Sequence, residues 1–241
     1  MYRTDMEFTG ERVVPGKTPQ TIYDEHIYRY IFAASLAESK VVLDVACGTG
    51  YGVGYVVLVV ACGMSYGGGY WGDKGAGGVV GVDISMAAVD YAQERLGRNN
   101  KASFICANAI RLPFTDNAFD IVVSFETIEH IRQCRKFLAE CRRVLKENGL
   151  LICSTPNRRI FSPNLAKPIN TFHVKEFWPE EFYRLLRRCF ADITLYGQCD
   201  VKLADNSVDR TNYYVHDFND DELISSAYII AVAKKQTKSR S

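Results

Sequence analysis

Val41-Val42-Leu43-Asp44-Val45-Ala46-Cys47-Gly48-Thr49-Gly50-Tyr51-Gly52 is the stretch on which the reading of the fold turns. An apolar run ending at glycines reads as a central strand of a parallel sheet, buried on both faces. Glycines 48, 50 and 52 let the backbone turn sharply and approach a ligand with no Cβ in the way. The turn is expected to open a helix whose N-terminal N–H groups point at that ligand. A dinucleotide fingerprint needs its third glycine at position 53, but Val53 stands there and the glycine is at 52. The spacing is therefore G-x-G-x-G, which disfavours a dehydrogenase and points to another nucleotide-like cofactor.

Four further segments follow in order. Val79-Val80-Gly81-Val82-Asp83-Ile84-Ser85 is an apolar strand ending in an acid. A carboxylate at that tip can accept hydrogen bonds from both hydroxyls of a ribose. Asp83 and Ser85 also suit the N-cap of a helix over about 86–98. Phe104 to Phe114 reads as a third strand and loop, Phe119 to His130 as a fourth strand and the edge beyond it, and Gly149 to Asn157 as a fifth. Helical patterns lie between them: Cys134 to Lys146, stopped by Asn148-Gly149, is the clearest. Ile22 to Ala37 forms a helix before the first strand, with Ile27, Tyr30, Ile31 and Ala34 on one face. Trp178 to Arg188 is a later helix, and Ala191 to Gly197 and Ala227 to Ala233 are the last strands. Strands alternating with helices make an α/β protein with a parallel sheet.

These ordered segments resemble the class I S-adenosylmethionine-dependent methyltransferases over about residues 40–157, and more loosely to Ala233. The resemblance implies a Rossmann-like, mostly parallel seven-stranded sheet with helices on both faces and an antiparallel C-terminal edge. It implies an N-terminal cap helix region at 1–39, a methyltransferase domain at 40–235 and a disordered tail at 236–241. The implied cofactor is S-adenosylmethionine, leaving as S-adenosylhomocysteine. Its contacts would come from Asp44, Ala46, Gly48, Gly50, Asp83, Ile84, Asn108, Ala109 and Phe125. Asn108 stands where the family usually has an acid; its carbonyl can still accept from the adenine amino group. The Ala109 N–H would then face an adenine ring nitrogen.

Methylating an oxygen requires a base to remove its proton. His130, past the fourth strand at the carboxyl edge of the sheet, is the first candidate, and His173 is the second. A structural His130 capping the next helix is the alternative. Glu126, Glu129 and His130 share a face if that segment is helical, and with His173 they could hold Mg²⁺, Mn²⁺ or Zn²⁺. That pattern is similar to the metal-dependent 2′-O-methyltransferases of small RNA 3′ ends and to the ubiquinone-biosynthesis O-methyltransferases. Spacing alone assigns no metal ligands. The wider pattern, F-T-G-E-R-x-x-P-G, E-H-x-x-R-Y, S-F-E-T-I-E-H and S-T-P-N, resembles bacterial methyltransferases associated with glycosyl transfer. A small-molecule acceptor is thereby implied, an oxygen on a sugar or natural product. An RNA 3′ end and a catalytically silent cofactor-binding module remain as alternatives. Arg158, Arg159 and Lys167 either meet an anionic substrate group or form a solvated loop face. Phe161, Phe172, Phe177 and Trp178 either roof the substrate side or pack helices.

With 29 basic and 28 acidic side chains the net charge is +1, which argues against a nucleic-acid partner. The eight cysteines include no C-x-x-C pair, so a zinc or disulfide framework is not expected and a reducing cytoplasm is. No apolar run is long enough to span a membrane. One segment breaks the pattern. Nine of the 18 glycines lie from Gly63 to Gly81, between the glycine turn and the second strand. Such composition reads as a flexible loop: a mobile insertion, a lid, or a local error of sequence.

Overall fold

Val41–Val45 forms strand β1, with every residue after Val41 buried. In the computed structural model the described residues are 8, 10, 12–54, 56, 64–65, 69–70, 77–98, 101–198, 214–216 and 221–236. They fall into two units, Met1–Phe114 with Phe119–Val123, and Thr115–Ala118 with Ser124–Ser241.

In the first unit, β1 pairs in parallel with Gly78–Asp83 (β4) on one side and with Phe119–Ser124 (β6) on the other. Ala102–Cys106 (β5) extends the sheet beyond β4, also in parallel. Helix α1, Gln20–Ser35, buries Ile27, Tyr30 and Ala34 as its periodicity requires, while Ile31 is only half-buried. Helix α2, Met86–Leu96, is capped by Ser85, whose side chain accepts from the Ala88 N–H. Of the glycine-rich segment, Met64–Ser65 (β2) and Gly69–Tyr70 (β3) form a short antiparallel ladder. Gly78–Gly81 belongs to β4, and the rest of the segment, apart from Gly77, lies outside the described residues. Residues 51–54 and 56 are helical, and the remainder of the helix expected after the turn lies outside them too.

The second unit is antiparallel. Leu145–Pro156 (β7) pairs with Tyr228–Lys234 (β10), which pairs with Ala191–Gln198 (β8). Tyr214–His216 (β9) adds a short strand to β8 that the sequence reading did not include. Helix α3, Cys134–Val144, ends earlier than expected: the chain is already extended at Leu145. Its last carbonyls, on Arg143 and Val144, are taken by the N–H groups of Asn117 and Ala118. Those bonds end the helix through tertiary contact, so Asn148-Gly149 falls inside β7 rather than at a helix stop. Arg158–Phe161 (α4), Pro179–Leu186 (α5) and Asp221–Ser225 (α6) complete the unit. Phe177 packs its ring 6.0 Å from Phe182 and Phe161 lies 5.6 Å from Tyr228, so these two aromatics serve the packing of the unit.

Candidate active site

The turn after β1 is built by left-handed backbone. Ala46, Gly48 and Gly50 have φ of 64°, 56° and 73°. The Cys47 N–H donates to the Val82 carbonyl at 2.9 Å, which ties the turn to β4. Each glycine answers a different demand. A Cβ on Gly50 would stand 2.7 Å from the Ala92 Cβ, and one on Gly52 would meet the Tyr30 ring. Gly48 faces nothing within 4 Å, so its missing side chain opens on empty space.

Asp83 ends β4 and braces this turn. Its Oδ2 accepts the Gly48 N–H at 2.9 Å and its Oδ1 accepts the Ser85 N–H at 2.9 Å. One carboxylate therefore joins the two strand tips, and each oxygen retains a second lone pair. Next to it Ile84 is 71% exposed, a large apolar side chain at a strand tip. Asn108 is exposed, and its Oδ1 accepts the Ile110 N–H at 3.0 Å, closing a local turn. Its Oδ1 keeps one further lone pair for a ligand.

Asp44 lies beneath the turn and is buried. The Tyr30 hydroxyl donates to its Oδ2 at 3.0 Å, while its Oδ1 has no hydrogen-bond partner. Burial pushes its carboxyl from 3.8 up to about 7; the nearby Asp83 charge adds to this and the Tyr30 bond opposes it. Burial, then Asp44, also raises Tyr30 well above 10, so it remains a donor. The consequence for stability has a definite sign. Between pH 3.8 and about 7 the folded chain holds a proton on Asp44 that the unfolded chain has released. Stability from this group is thus present at low pH and lost as pH rises through that window, by up to about 4 kcal/mol. Asp44→Asn is expected to flatten that fall in urea unfolding measured from pH 5 to 8. Parallel curves for the two proteins would show that another group binds the proton.

The second unit holds the ionisable cluster. Glu129 and His130 lie in a three-residue 3-10 turn, Ile128–His130, and not in an α-helix. Glu126 stands before it with φ 47°, and its backbone and carboxylate both bond to the Ser154 hydroxyl, at 3.1 and 2.6 Å. The expected helical face of Glu126, Glu129 and His130 therefore does not exist, because the left-handed residue breaks the 3.6-residue period. Glu129, His130 and His173 do come together: one donor atom from each lies within 4.8 Å of the others. Glu129 is fully buried, and its Oε2 accepts from the Thr155 hydroxyl at 3.3 Å. The Glu129 carbonyl accepts the N–H groups of Val174 and Lys175, which brings the loop bearing His173 against the turn.

The two imidazoles are oriented. His130 Nδ1 lies 3.0 Å from the Phe172 carbonyl, which can only accept, so Nδ1 carries a hydrogen and in the neutral ring the lone pair is on Nε2. The N-cap position of α3 is Gln133. The His173 ring sits edge-on to it, 4.9 Å between centroids. His173 Nδ1 lies 2.9 Å from the buried Glu176 carboxylate and Nε2 3.0 Å from the Asn170 amide. Glu176, overlooked in the sequence, has only its place three residues after His173 as a signal. Phe125 is buried in this unit. Arg158 donates to the Leu165 carbonyl and Arg159 to Glu180 of α5 at 3.4 Å, while the Nε of each is buried without a hydrogen-bond partner.

Among the described residues no helix is long and apolar enough to cross a membrane. Residues 58–153 match the family described as a methyltransferase domain. That span starts downstream of the glycine turn, whose reading rests on its own geometry. A "probable S-adenosylmethionine-dependent methyltransferase" of Mycobacterium tuberculosis (strain ATCC 25618 / H37Rv) is 34% identical over 194 residues, 80% of this chain and 64% of that protein. One of Mycolicibacterium smegmatis is 32% identical over 182 residues, 75% of this chain and 63% of that protein. The chain thus spans less than two thirds of either relative's length. Among solved structures, an S-adenosylmethionine-dependent methyltransferase of Thermotoga maritima superposes with a TM-score of 0.63 at 18% identity, over 90% of this chain and 94% of that one.

Proposed function

We propose that this chain, similar to the Rossmann-like S-adenosylmethionine-dependent methyltransferases, methylates an oxygen of a small-molecule acceptor, a sugar or another metabolite. The observation that supports the oxygen acceptor is the bond of His130 Nδ1–H to the Phe172 carbonyl, which in the neutral ring leaves Nε2 as a base on a residue that clusters with His173 and Glu129.

The first unit fits the cofactor. Gly48 opens on empty space, Asp83 keeps lone pairs for ribose hydroxyls, and exposed Ile84 suits an apolar ring face. The unpartnered Asp44 oxygen suits a cationic group, which would also draw its proton off. Bound S-adenosylmethionine supplies a methyl group on a sulfonium, a good leaving group. His130 takes the acceptor's proton on Nε2, and the Phe172 carbonyl steadies the imidazolium through Nδ1–H.

A second reading is favoured by the same cluster. Two imidazoles and a carboxylate suit Mn²⁺ or Zn²⁺ better than Mg²⁺, which prefers oxygen ligands. Glu176 behind His173 matches the carboxylate that commonly orients a ligating histidine. A cation held there would lower the acceptor's pKa.

Calorimetric titration with S-adenosylmethionine and S-adenosylhomocysteine, with and without Mn²⁺, tests both readings. Saturable one-to-one binding of either cofactor form is expected, and its absence would sink the methyltransferase reading. A separate Mn²⁺ heat that disappears in His173→Ala would favour the cation reading; its absence in the wild type would leave His130 to act alone.

A further inference from the structure

Both ring nitrogens of His173 are engaged. Asn170 Oδ1 accepts the Phe172 N–H at 3.0 Å, so the amide nitrogen of Asn170 is the atom that lies 3.0 Å from His173 Nε2. An amide NH₂ only donates, and Nε2 therefore accepts. Nδ1 then carries the ring hydrogen and donates it to Glu176 Oε1 at 2.9 Å. A neutral imidazole binds a cation through its one lone pair. In His173 that lone pair is covered by a side chain three residues earlier in the chain.

The two partners of His173 sit in different surroundings. Glu176 is 1% exposed and its Oε2 has no hydrogen-bond partner. Among the described residues no lysine or arginine pairs with it. Because Nε2 accepts, His173 is neutral, and the buried carboxylate has no positive charge against it. A buried carboxylate in that state is costly. Asn170 is half-buried, and Thr171, Phe172 and Val174 beside it are exposed. The Nε2 side of the ring is thus the one open to an exchange of partners, and the Glu176 side is closed in. A cation on Nε2 supplies the charge that Glu176 lacks, which the neutral amide of Asn170 does not.

We propose that Asn170 is a displaceable cap on His173: its amide holds Nε2 until a divalent cation takes that lone pair, while Glu176 keeps the ring turned with Nε2 as the ligand atom. This rests on the cation reading above, in which Glu129, His130 and His173 gather. Asn170 and Glu176 are positioning residues, since both act through His173. Asn170 opposes the cation by one hydrogen bond, and Glu176 supports it by making the ring a better donor. Their substitutions therefore act on cation affinity with opposite signs, which a general loosening of the loop does not produce.

The test is calorimetric titration of the whole chain with Mn²⁺, with free Mn²⁺ counted alongside by its paramagnetic resonance signal. Asn170→Ala is expected to bind Mn²⁺ about 3- to 10-fold more tightly than the wild type, because one hydrogen bond no longer competes. Glu176→Gln is expected to bind it about 10- to 100-fold more weakly. Alanine also removes the acceptor of the Phe172 N–H. Asn170→Ser keeps a side-chain oxygen for that turn but no amide for Nε2, and it too should bind more tightly. Equal or weaker binding in both Asn170 variants would overturn the cap and, where the wild type binds, leave the cation reading standing. Wild-type binding that persists in His173→Ala would place the ion elsewhere and overturn both. No saturable binding in the wild type or in either Asn170 variant would also overturn both, and leave His130 to act alone. Binding that emerges only in the Asn170 variants would support the cap, with the wild-type amide outcompeting the ion.

Discussion

His130→Ala is expected to lower turnover by about 10²–10⁴-fold while leaving S-adenosylmethionine affinity nearly unchanged. The large effect on kcat follows from the single proton that must leave an oxygen acceptor. The Phe172 carbonyl commits Nδ1 of His130 as a donor, so the basic lone pair is held on Nε2 in one orientation. Alanine removes that nitrogen without disturbing the backbone bonds that shape the site, because Val174 and Lys175 are held by the Glu129 carbonyl and not by the His130 ring. Cofactor affinity is the internal control, since the glycine turn, Asp44 and Asp83 all lie in the first unit. Full turnover in the variant would confine His130 to a structural role. A matching loss in His173→Ala, recovered in neither variant by pH, would shift the weight to a cation shared by the cluster.

Asp83→Ala is expected to weaken S-adenosylmethionine binding by about 10- to 200-fold, on the order of 1–3 kcal/mol. Two losses combine. The carboxylate's own bonds to ribose hydroxyls disappear, and so does the brace that ties Gly48 to the tip of β4 and to Ser85. Asp83→Asn separates them. Its carbonyl oxygen can still accept one of the two N–H groups, but its amide nitrogen cannot accept the other. An intermediate affinity is therefore expected for Asn, with alanine the weaker binder. Unchanged affinity in Asp83→Ala, measured on protein with an unaltered melting temperature, would remove Asp83 from the cofactor site.

The strand-and-turn segments were read in place: β1 and β4 begin and end within a residue or two of the apolar runs, and Gly48 and Gly50 adopt the left-handed backbone that their residue type permits. Helix ends were read less well where tertiary bonds set them, as at Val144, whose carbonyl is taken by Ala118. Arg158 and Arg159 stand near a strand end as cations, and tertiary structure gives one a backbone carbonyl and the other Glu180 of α5.

What the sequence by itself determined is the strand-and-turn frame of the first unit. Its determinants are local: β-branched and apolar residues in runs, glycines where the backbone must turn, and an acid at a strand tip. Each acts through its own dihedrals or its nearest neighbours, so residue type and spacing suffice. What only the tertiary structure decided is the company kept by Glu129 and His130. Helical spacing pointed to Glu126 as their companion, but Glu126 turns away to Ser154 in left-handed backbone. Their companions come instead from the loop around Phe172 and His173, with Phe172 42 positions from the His130 ring it orients. That meeting depends on where two distant backbone segments close on each other, through the Glu129 carbonyl, and no periodicity along the chain encodes it.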